Sequence, residues 1–484
     1  MEGFKMLRVF AMDCSNDRLT TWHALFMQPG VRTVTLLTTL MITMSTAADV
    51  RADSKDLPNI LFILADDLGW NDVGFHGSEI ETPHLDQLAR DGVVLDQHYV
   101  TPVCSSTRAG LLGGRYASRF GCLGPTNSRV FSSHTVTLAS ALSTQGYETC
   151  LTGKWHLGSL PKWGPLQFGF QRSYGCLAGG IDQYLHRYKK GPFVTTWHRN
   201  DQLFEEAGHS TDLFAEQAIR WIKIKRNRPF FIYVPFTAVH IPLQEPEEWL
   251  HRYEGKFKAA SRRHFAACAT HMDDAIGRIL AALDQTGQRE RTLVVFTSDN
   301  GGQKRWRPTG RYPGQYIHCP VLADNRPLRG WKGQVYEGGI RVPTVVSWPG
   351  QLNATTIKHP VNIVDWLPTF CALTGYTAEK DLQWDGQNIW PLVAGQTDHH
   401  PARSFYWRTV DQFAVRESHW KLVVPVRNQR RQLALFDLEN DPYEKNNVAD
   451  DNPDKVARLK DLLAEHQNLD SPDLLPFNPD LNQL

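Results

Sequence analysis

Apolar runs of strand length, each closing in a polar cluster and separated by helical patterns, constrain this chain more than any other feature. Asn59-Ile60-Leu61-Phe62-Ile63-Leu64-Ala65 stops at Asp66-Asp67-Leu68-Gly69-Trp70. Tyr147-Glu148-Thr149-Cys150-Leu151 stops at Thr152-Gly153-Lys154-Trp155-His156-Leu157-Gly158. Pro229-Phe230-Phe231-Ile232-Tyr233-Val234 is followed closely by His240, and Thr292-Leu293-Val294-Val295-Phe296-Thr297 stops at Ser298-Asp299-Asn300-Gly301-Gly302. Such runs suit strands buried on both faces. Helical patterns over 83–90, 138–144, 212–224 and 261–283 alternate with them, and a further strand is expected over 92–99. The expected fold is α/β: a large mixed, mainly parallel sheet flanked by helices.

From about Thr377 the pattern changes. Short alternating runs at 404–407, 413–416, 420–424 and 433–437, with turn residues such as Asn440-Asp441-Pro442, predict a smaller antiparallel sheet. A helix over 453–467 would cover it. The expected organisation is an N-terminal extension with a signal peptide over 1–52, a main domain over 53–376 and a C-terminal α+β subdomain over 377–484. Arg32, the apolar run Thr33 to Met44 and Ser45-Thr46-Ala47-Ala48 have the layout of a secretory leader, with Met27 as the expected true start. That run is short for a membrane span. Export, to periplasm or medium, with no stable membrane anchor, is the expectation. In an exported chain, the cysteines other than Cys14 and Cys104 are even in number, so both disulfides and free buried thiols are open. Over 484 residues, 52 Lys+Arg nearly balance 51 Asp+Glu, so no global charge points to nucleic acid.

In open α/β sheets, ligands bind at the C-terminal ends of the strands. The four polar clusters lie there. Each alone also suits a solvated turn or a surface position. Together, Asp66, Asp67, Asp299 and Asn300 supply oxygen ligands only, the set that hard divalent cations prefer. No Cys/His zinc spacing is present. Arg108, Lys154, His156, His240 and Lys332 supply positive charge and proton donors. A hard cation with such groups suits a tetrahedral oxyanion. The reactive centre is expected at Cys104, in Thr101-Pro102-Val103-Cys104-Ser105-Ser106-Thr107-Arg108. A helix starting at Ser105 would place Arg108 beside Cys104 and favour negative charge at its N-terminus. Alone, Cys104 suits an inert buried thiol better than a reactive one.

These segments, with Gly69-Trp70-Asn71-Asp72-Val73-Gly74-Phe75-His76-Gly77 and Pro327-Leu328-Arg329-Gly330-Trp331-Lys332-Gly333, resemble the formylglycine-dependent sulfatases. The resemblance runs from about Asn59 to Pro442. Pro83-His84-Leu85-Asp86 and Val239-His240-Ile241-Pro242-Leu243-Gln244 are most similar to the arylsulfatase B (N-acetylgalactosamine-4-sulfatase) type. The resemblance implies an alkaline-phosphatase-like fold and hydrolysis of sulfate esters, of sulfated carbohydrate in particular. It implies that a formylglycine-generating enzyme converts Cys104 to formylglycine, whose aldehyde hydrate attacks sulfur. It implies one calcium ion on Asp66, Asp67, Asp299 and Asn300, with residue 104 alongside. Asp299 would take the proton of the attacking hydroxyl. Arg108 and Lys154 would stabilise the hydrate, His156 would assist sulfate loss, and His240 and Lys332 would bind sulfate and help the leaving oxygen depart.

This chain departs from the family pattern at two places. Ser106 stands where the modification signal usually has proline. The segment Gln303 to Asn325, with Lys304, Arg305, Trp306, Arg307, Arg311, Tyr312 and Tyr316, separates Asp299-Asn300 from Lys332 by more than the arylsulfatase B pattern implies. It reads either as a binding lip for a sulfated sugar chain or as a solvated loop. Trp384 and Trp390 read as core packing or as substrate contacts. The alternatives to a sulfatase are a phosphodiester or phosphonate ester hydrolase of related fold, and a non-catalytic glycan-binding protein in which Cys104 stays a thiol.

Overall fold

The computed structural model describes residues 57–189, 191, 193–307, 312–398, 401–426 and 432–476. The expected leader and Cys14 lie outside them. The central sheet has ten strands. In spatial order they are β11 (Thr355–Ile357), β2 (Val93–Leu95), β10 (Thr344–Ser347), β9 (Thr292–Ser298), β1 (Asn59–Ala65), β8 (Phe230–Pro235), β4 (Glu148–Lys154), β5 (Arg172–Cys176), β6 (Trp197–Arg199) and β7 (Gln202–Leu203). From β9 through β1, β8 and β4 to β5 every pairing is parallel. Antiparallel pairings join β10 to β9 and β2, and β6 to β5 and β7.

Why β1 is apolar at every position is clear from what covers it. Ile60, Phe62 and Leu64 enter one core, and Leu61, Ile63 and Ala65 enter the core on the other face. Side chains alternate across a strand, so an unbroken apolar run requires cover on both sides. Helices Cys104–Gly113, Leu138–Thr144 and Trp366–Thr374 cover the first face. Helices Pro83–Asp91, Ser210–Ile222 and Ala260–Gln285 cover the second.

The expected strand over 92–99 is two pieces. β2 belongs to the large sheet, while β3 (His98–Tyr99) pairs with β12 (Val361–Asn362) in a separate two-stranded sheet. The chain turns at Asp96, whose carboxylate is held by Arg341 Nη2 at 2.9 Å. The C-terminal sheet is antiparallel in the order β13 (Ser404–Arg408), β14 (Gln412–Glu417), β15 (Trp420–Pro425) and β16 (Ala434–Asp437). Tyr406, Val415, Leu422 and Leu435 share one core with Leu459, Leu462 and Leu463 of the helix Pro453–Asn468 and with the main body. The opposite face packs Phe405, Trp407, Val423 and Phe436 against Tyr99, Val335 and Ile340. All seven described cysteines are free and buried. Trp384 and Trp390 pack against the first core, Trp384 beside Gly114 and Trp390 beside Trp348 at 5.7 Å.

Candidate active site

Because β9, β1, β8 and β4 are consecutive and parallel, their C-terminal ends share one edge. The polar clusters that close them therefore meet. The Asp299 amide donates to the Ala65 carbonyl at 3.0 Å, and the Asp67 amide donates to Asp299 Oδ1 at 3.2 Å. Asp66 exchanges backbone hydrogen bonds with Ala238 and Val239 at 2.9 and 2.8 Å, which sets the segment bearing His240. Asp67 (φ 68°) and His156 (φ 57°) occupy the left-handed region, uncommon for residues other than glycine. Each turns its side chain back towards the sheet edge.

The helix begins at Cys104 itself, and Arg108 follows one turn later. Thr107 secures the start, its hydroxyl accepting the Thr101 amide at 2.9 Å. Cys104 Sγ lies 3.3 Å from His156 Nδ1. Arg108 donates to Asp299 Oδ2 through Nη2 at 2.7 Å and Nε at 3.2 Å, and through Nη1 to the Lys154 carbonyl at 2.7 Å. Lys154 Nζ reaches Asp66 Oδ2 at 2.5 Å. Lys332 Nζ reaches Asp67 at 2.5 and 2.7 Å, while His240 Nε2 stands 3.9 Å from Asp67 Oδ2. Asn300 Nδ2 donates to Asp67 Oδ1 at 2.8 Å. Every residue expected at the site is therefore in one buried cluster, and only Lys332 and His240 reach its rim, with side chains 15% and 12% exposed.

Burial pushes the Cys104 thiol up, although Lys154 and Lys332 pull against it. Unmodified, residue 104 is a neutral thiol and a poor nucleophile. Burial, then the charge of Lys154, holds His156 well below the ordinary histidine range. Burial and Lys332 do the same to His240, whose Nδ1–H donates to the Ile241 carbonyl at 2.6 Å. That bond leaves the Nε2 lone pair facing the cluster. Burial and then Asp299 push Asp66 up to about 8. For Asp67, burial is outweighed by Lys332 and His240, which bring it down to about 2.

The donor set fits a hard cation. Asp66 Oδ1 and Asn300 Oδ1 are buried and have no hydrogen-bond partner. Asp66, Asp67 and His240 can converge on one point, as can Asp66, Cys104 and Asp299, with donor atoms within 4.8 Å of one another. Orphaned buried oxygens are costly, and the oxygens of Asp66, Asp67, Asp299 and Asn300 suit calcium or magnesium better than a soft metal.

Other residues at the site were not foreseen. Asn325 fixes the Gly302 turn, accepting the Gly302 amide at 2.9 Å and donating to its carbonyl at 3.0 Å. Asp72, inside the recognised motif, accepts the amides of Gly69 and Asp324 and pairs with Arg262 at 2.6 Å. Gly179 and Gly180 lie under the rings of His156 and His240, where a side chain would collide. Apart from the local Asp72–Gly69 bond, nothing in spacing or periodicity announces these contacts, because they join segments separated in the chain. Arg311 of the long segment lies outside the described residues.

The family model described as Sulfatase matches residues 58–376, and one described as N-sulphoglucosamine sulphohydrolase, C-terminal, matches residues 330–469. Arylsulfatase J of Mus musculus is 32% identical, across 88% of this chain and 79% of its own length. N-acetylgalactosamine-6-sulfatase of Mus musculus is 28% identical, across 92% of each. The crystal structure of Ps i-CgsB in complex with k-i-k-neocarrahexaose superposes with a TM-score of 0.79 at 30% identity, covering 88% of this chain and 95% of the other. The matched span includes each strand end that builds the cluster around Cys104, and the chain belongs to the sulfatase family as a sulfuric ester hydrolase.

Proposed function

We propose that the protein hydrolyses sulfate esters of carbohydrate, with residue 104 as its reactive centre. One observation carries this reading. Cys104 stands at a helix start, 3.3 Å from His156, within a cluster that gathers Lys154, Arg108, Lys332 and the carboxylates of Asp66, Asp67 and Asp299. Conversion of Cys104 to formylglycine would supply an aldehyde hydrate, the nucleophile that the neutral thiol cannot be. Calcium on Asp66, Asp67, Asp299 and Asn300, with residue 104 alongside, would supply Lewis-acid polarisation of the sulfate.

The chain's own groups account for the rest. Arg108 holds Asp299 in place and keeps its positive charge against residue 104. Lys154 and Lys332 stay protonated, each raised by a carboxylate that outweighs burial, and offer charge to the sulfate oxygens. His156, neutral and next to residue 104, is placed to take a proton there as sulfate is released. His240, beside Lys332 at the rim, is placed to hold the proton needed by the leaving oxygen. A bound sulfate's negative charge would raise its affinity for that proton.

The names of the relatives and the oligosaccharide in the Ps i-CgsB structure support a sulfated sugar substrate. N-acetylgalactosamine carrying 4-sulfate or 6-sulfate is the first pair to compare. An exported protein with such a substrate would meet it outside the cytoplasm. The test compares the wild type with Cys104→Ala on an aryl sulfate, an aryl phosphate and the two sulfated sugars. The expected result is faster sulfate than phosphate release and a loss of about a thousandfold or more in the variant. A dominant phosphatase activity, or a fully active Cys104→Ala, would overturn the reading.

A further inference from the structure

The described parts of the long segment, residues 303–307 and 312–325, are tied to the main body at several points although many of their side chains are exposed, and Tyr312 lies at the site. Trp306 and Cys319 exchange backbone hydrogen bonds at 2.7 and 3.1 Å, closing its base. The Gln315 carbonyl accepts from Gln244 Nε2 at 3.0 Å, and the same amide group donates to Asp182 at 2.6 Å. Inside this frame, Tyr312 meets Trp306 at 6.3 Å and Tyr188 edge-on at 6.0 Å, while Trp306 meets Tyr316 at 5.3 Å. The Lys189 ammonium lies over the rings of Tyr188 and Tyr312, at 5.1 and 5.6 Å. Tyr312 is only 5% exposed.

Gly180 locates the Tyr312 hydroxyl. A methyl group on Gly180 would lie 2.5 Å from Tyr312 Oη and 3.3 Å from His240 Cε1, so phenol and imidazole close over the same point. His156 closes in the same way over Gly179. Among the described residues no hydrogen bond is made by the Tyr312 hydroxyl, and Oη is not one of the enclosed unpartnered polar atoms, so it keeps access to solvent while its ring is packed on several sides. A donor left uncommitted beside the site can exchange its water for a ligand's hydroxyl. Burial, then neighbouring Tyr188, pushes its pKa well up, so the group is a donor at neutral pH. Lys154 and Lys332 are already committed to the sulfate side. A neutral donor in an aromatic wall suits the hydroxyls and C–H face of a sugar.

We propose that Tyr312 is a specificity-determining residue, donating a hydrogen bond to the sugar unit that bears the sulfate on the leaving-group side, beside His240. This rests on the reading of the site as a carbohydrate sulfatase and adds which wall selects the sugar. Tyr312→Phe tests it, because the ring packing is kept and only the donor is lost. The wild type and variant are compared on a small aryl sulfate and on a sulfated oligosaccharide. The expected result is a kcat/KM about tenfold lower on the oligosaccharide, mainly through KM, with the aryl sulfate within about twofold and an unchanged Tm. Equal losses on both substrates, or none on the oligosaccharide, would overturn this inference alone. A wild type that cleaves the aryl sulfate and no sulfated saccharide would overturn the substrate reading, and this inference with it.

Discussion

At Arg108 the site has its least replaceable charge. The guanidinium is fully buried and serves Asp299 twice and the Lys154 carbonyl once. Arg108→Lys keeps the charge and loses the fork, which one ammonium cannot reproduce. It is expected to destabilise the fold by roughly 3 kcal/mol and to leave little turnover, read from urea unfolding and aryl sulfate assays. Ser106 is a different case. Its hydroxyl donates to the Cys122 carbonyl at 2.9 Å, two positions into a helix whose first turn asks nothing of its amide. Ser106→Pro therefore should fold at a cost of about 1 kcal/mol, the lost hydrogen bond, and would test the proposed conversion of Cys104 by placing there the proline that the sulfatase resemblance implies. Its formylglycine content, measured by mass spectrometry, is expected to equal or exceed that of the wild type. A sharp fall would show that Ser106 is itself required. At this scale much was legible in sequence. Asp66, Asp67, Asp299 and Asn300 stand out because charge after a buried apolar run has to be solvated, paired or ligating. Tyr312 does not stand out, since no periodicity says where a loop side chain points.

Elements were legible wherever burial was two-sided. β1, β4, β8 and β9 were each found within a few residues of the expected span, because an apolar run has few other uses. β5, β6 and β7 were missed. They are short and lie towards a sheet edge, and β7 is exposed, so no hydrophobic pattern marks them. The break between β2 and β3 was missed as well, being set by partners on distant segments at Arg341, Ile357 and Val361. An ion pair joins the helix Ala260–Gln285 to the Gly69-to-Asp72 turn. Arg262 Nη1 meets buried Asp72 at 2.6 Å and also bonds the Leu322 carbonyl at 2.9 Å. Burial pushes the Asp72 carboxyl up, against the pull of Arg262. Arg262→Met would leave that carboxylate uncompensated. A loss of about 3 kcal/mol or more is expected in urea unfolding, with the turn that follows the site residues Asp66 and Asp67 loosened. A change under about 1 kcal/mol would show that the turn's backbone donors suffice.

For the molecule as a whole, two buried charge systems tie stability to conditions. His271 sits between Glu245 at 2.7 Å and Asp212 at 3.2 Å, with His209, Trp249 and Arg278 around it. It links two helices to the segment that carries His240. Burial alone would lower its pKa, but hydrogen bonds to Asp212 and Glu245 outweigh that and bring it from 6.5 to about 9. The folded state thus holds this proton more tightly than the unfolded chain. The stabilisation is fully present below pH 6.5 and is lost as pH rises through about 9, a change on the order of 3 kcal/mol. Unfolding free energy should fall across that window, and His271→Gln should flatten the fall. The second system is the oxygen cluster. If it holds a divalent cation, chelation should lower Tm and added calcium should restore it, by an amount that grows with free calcium. Among the described residues no helix is long and apolar enough to cross a membrane. The central claim is that residue 104 acts as something other than cysteine. Mass spectrometry of the peptide containing residue 104, taken from active protein, tests this most directly. A peptide lighter than the thiol form and reactive towards carbonyl reagents is the predicted result. A fully active enzyme whose residue 104 is wholly unmodified thiol would contradict it.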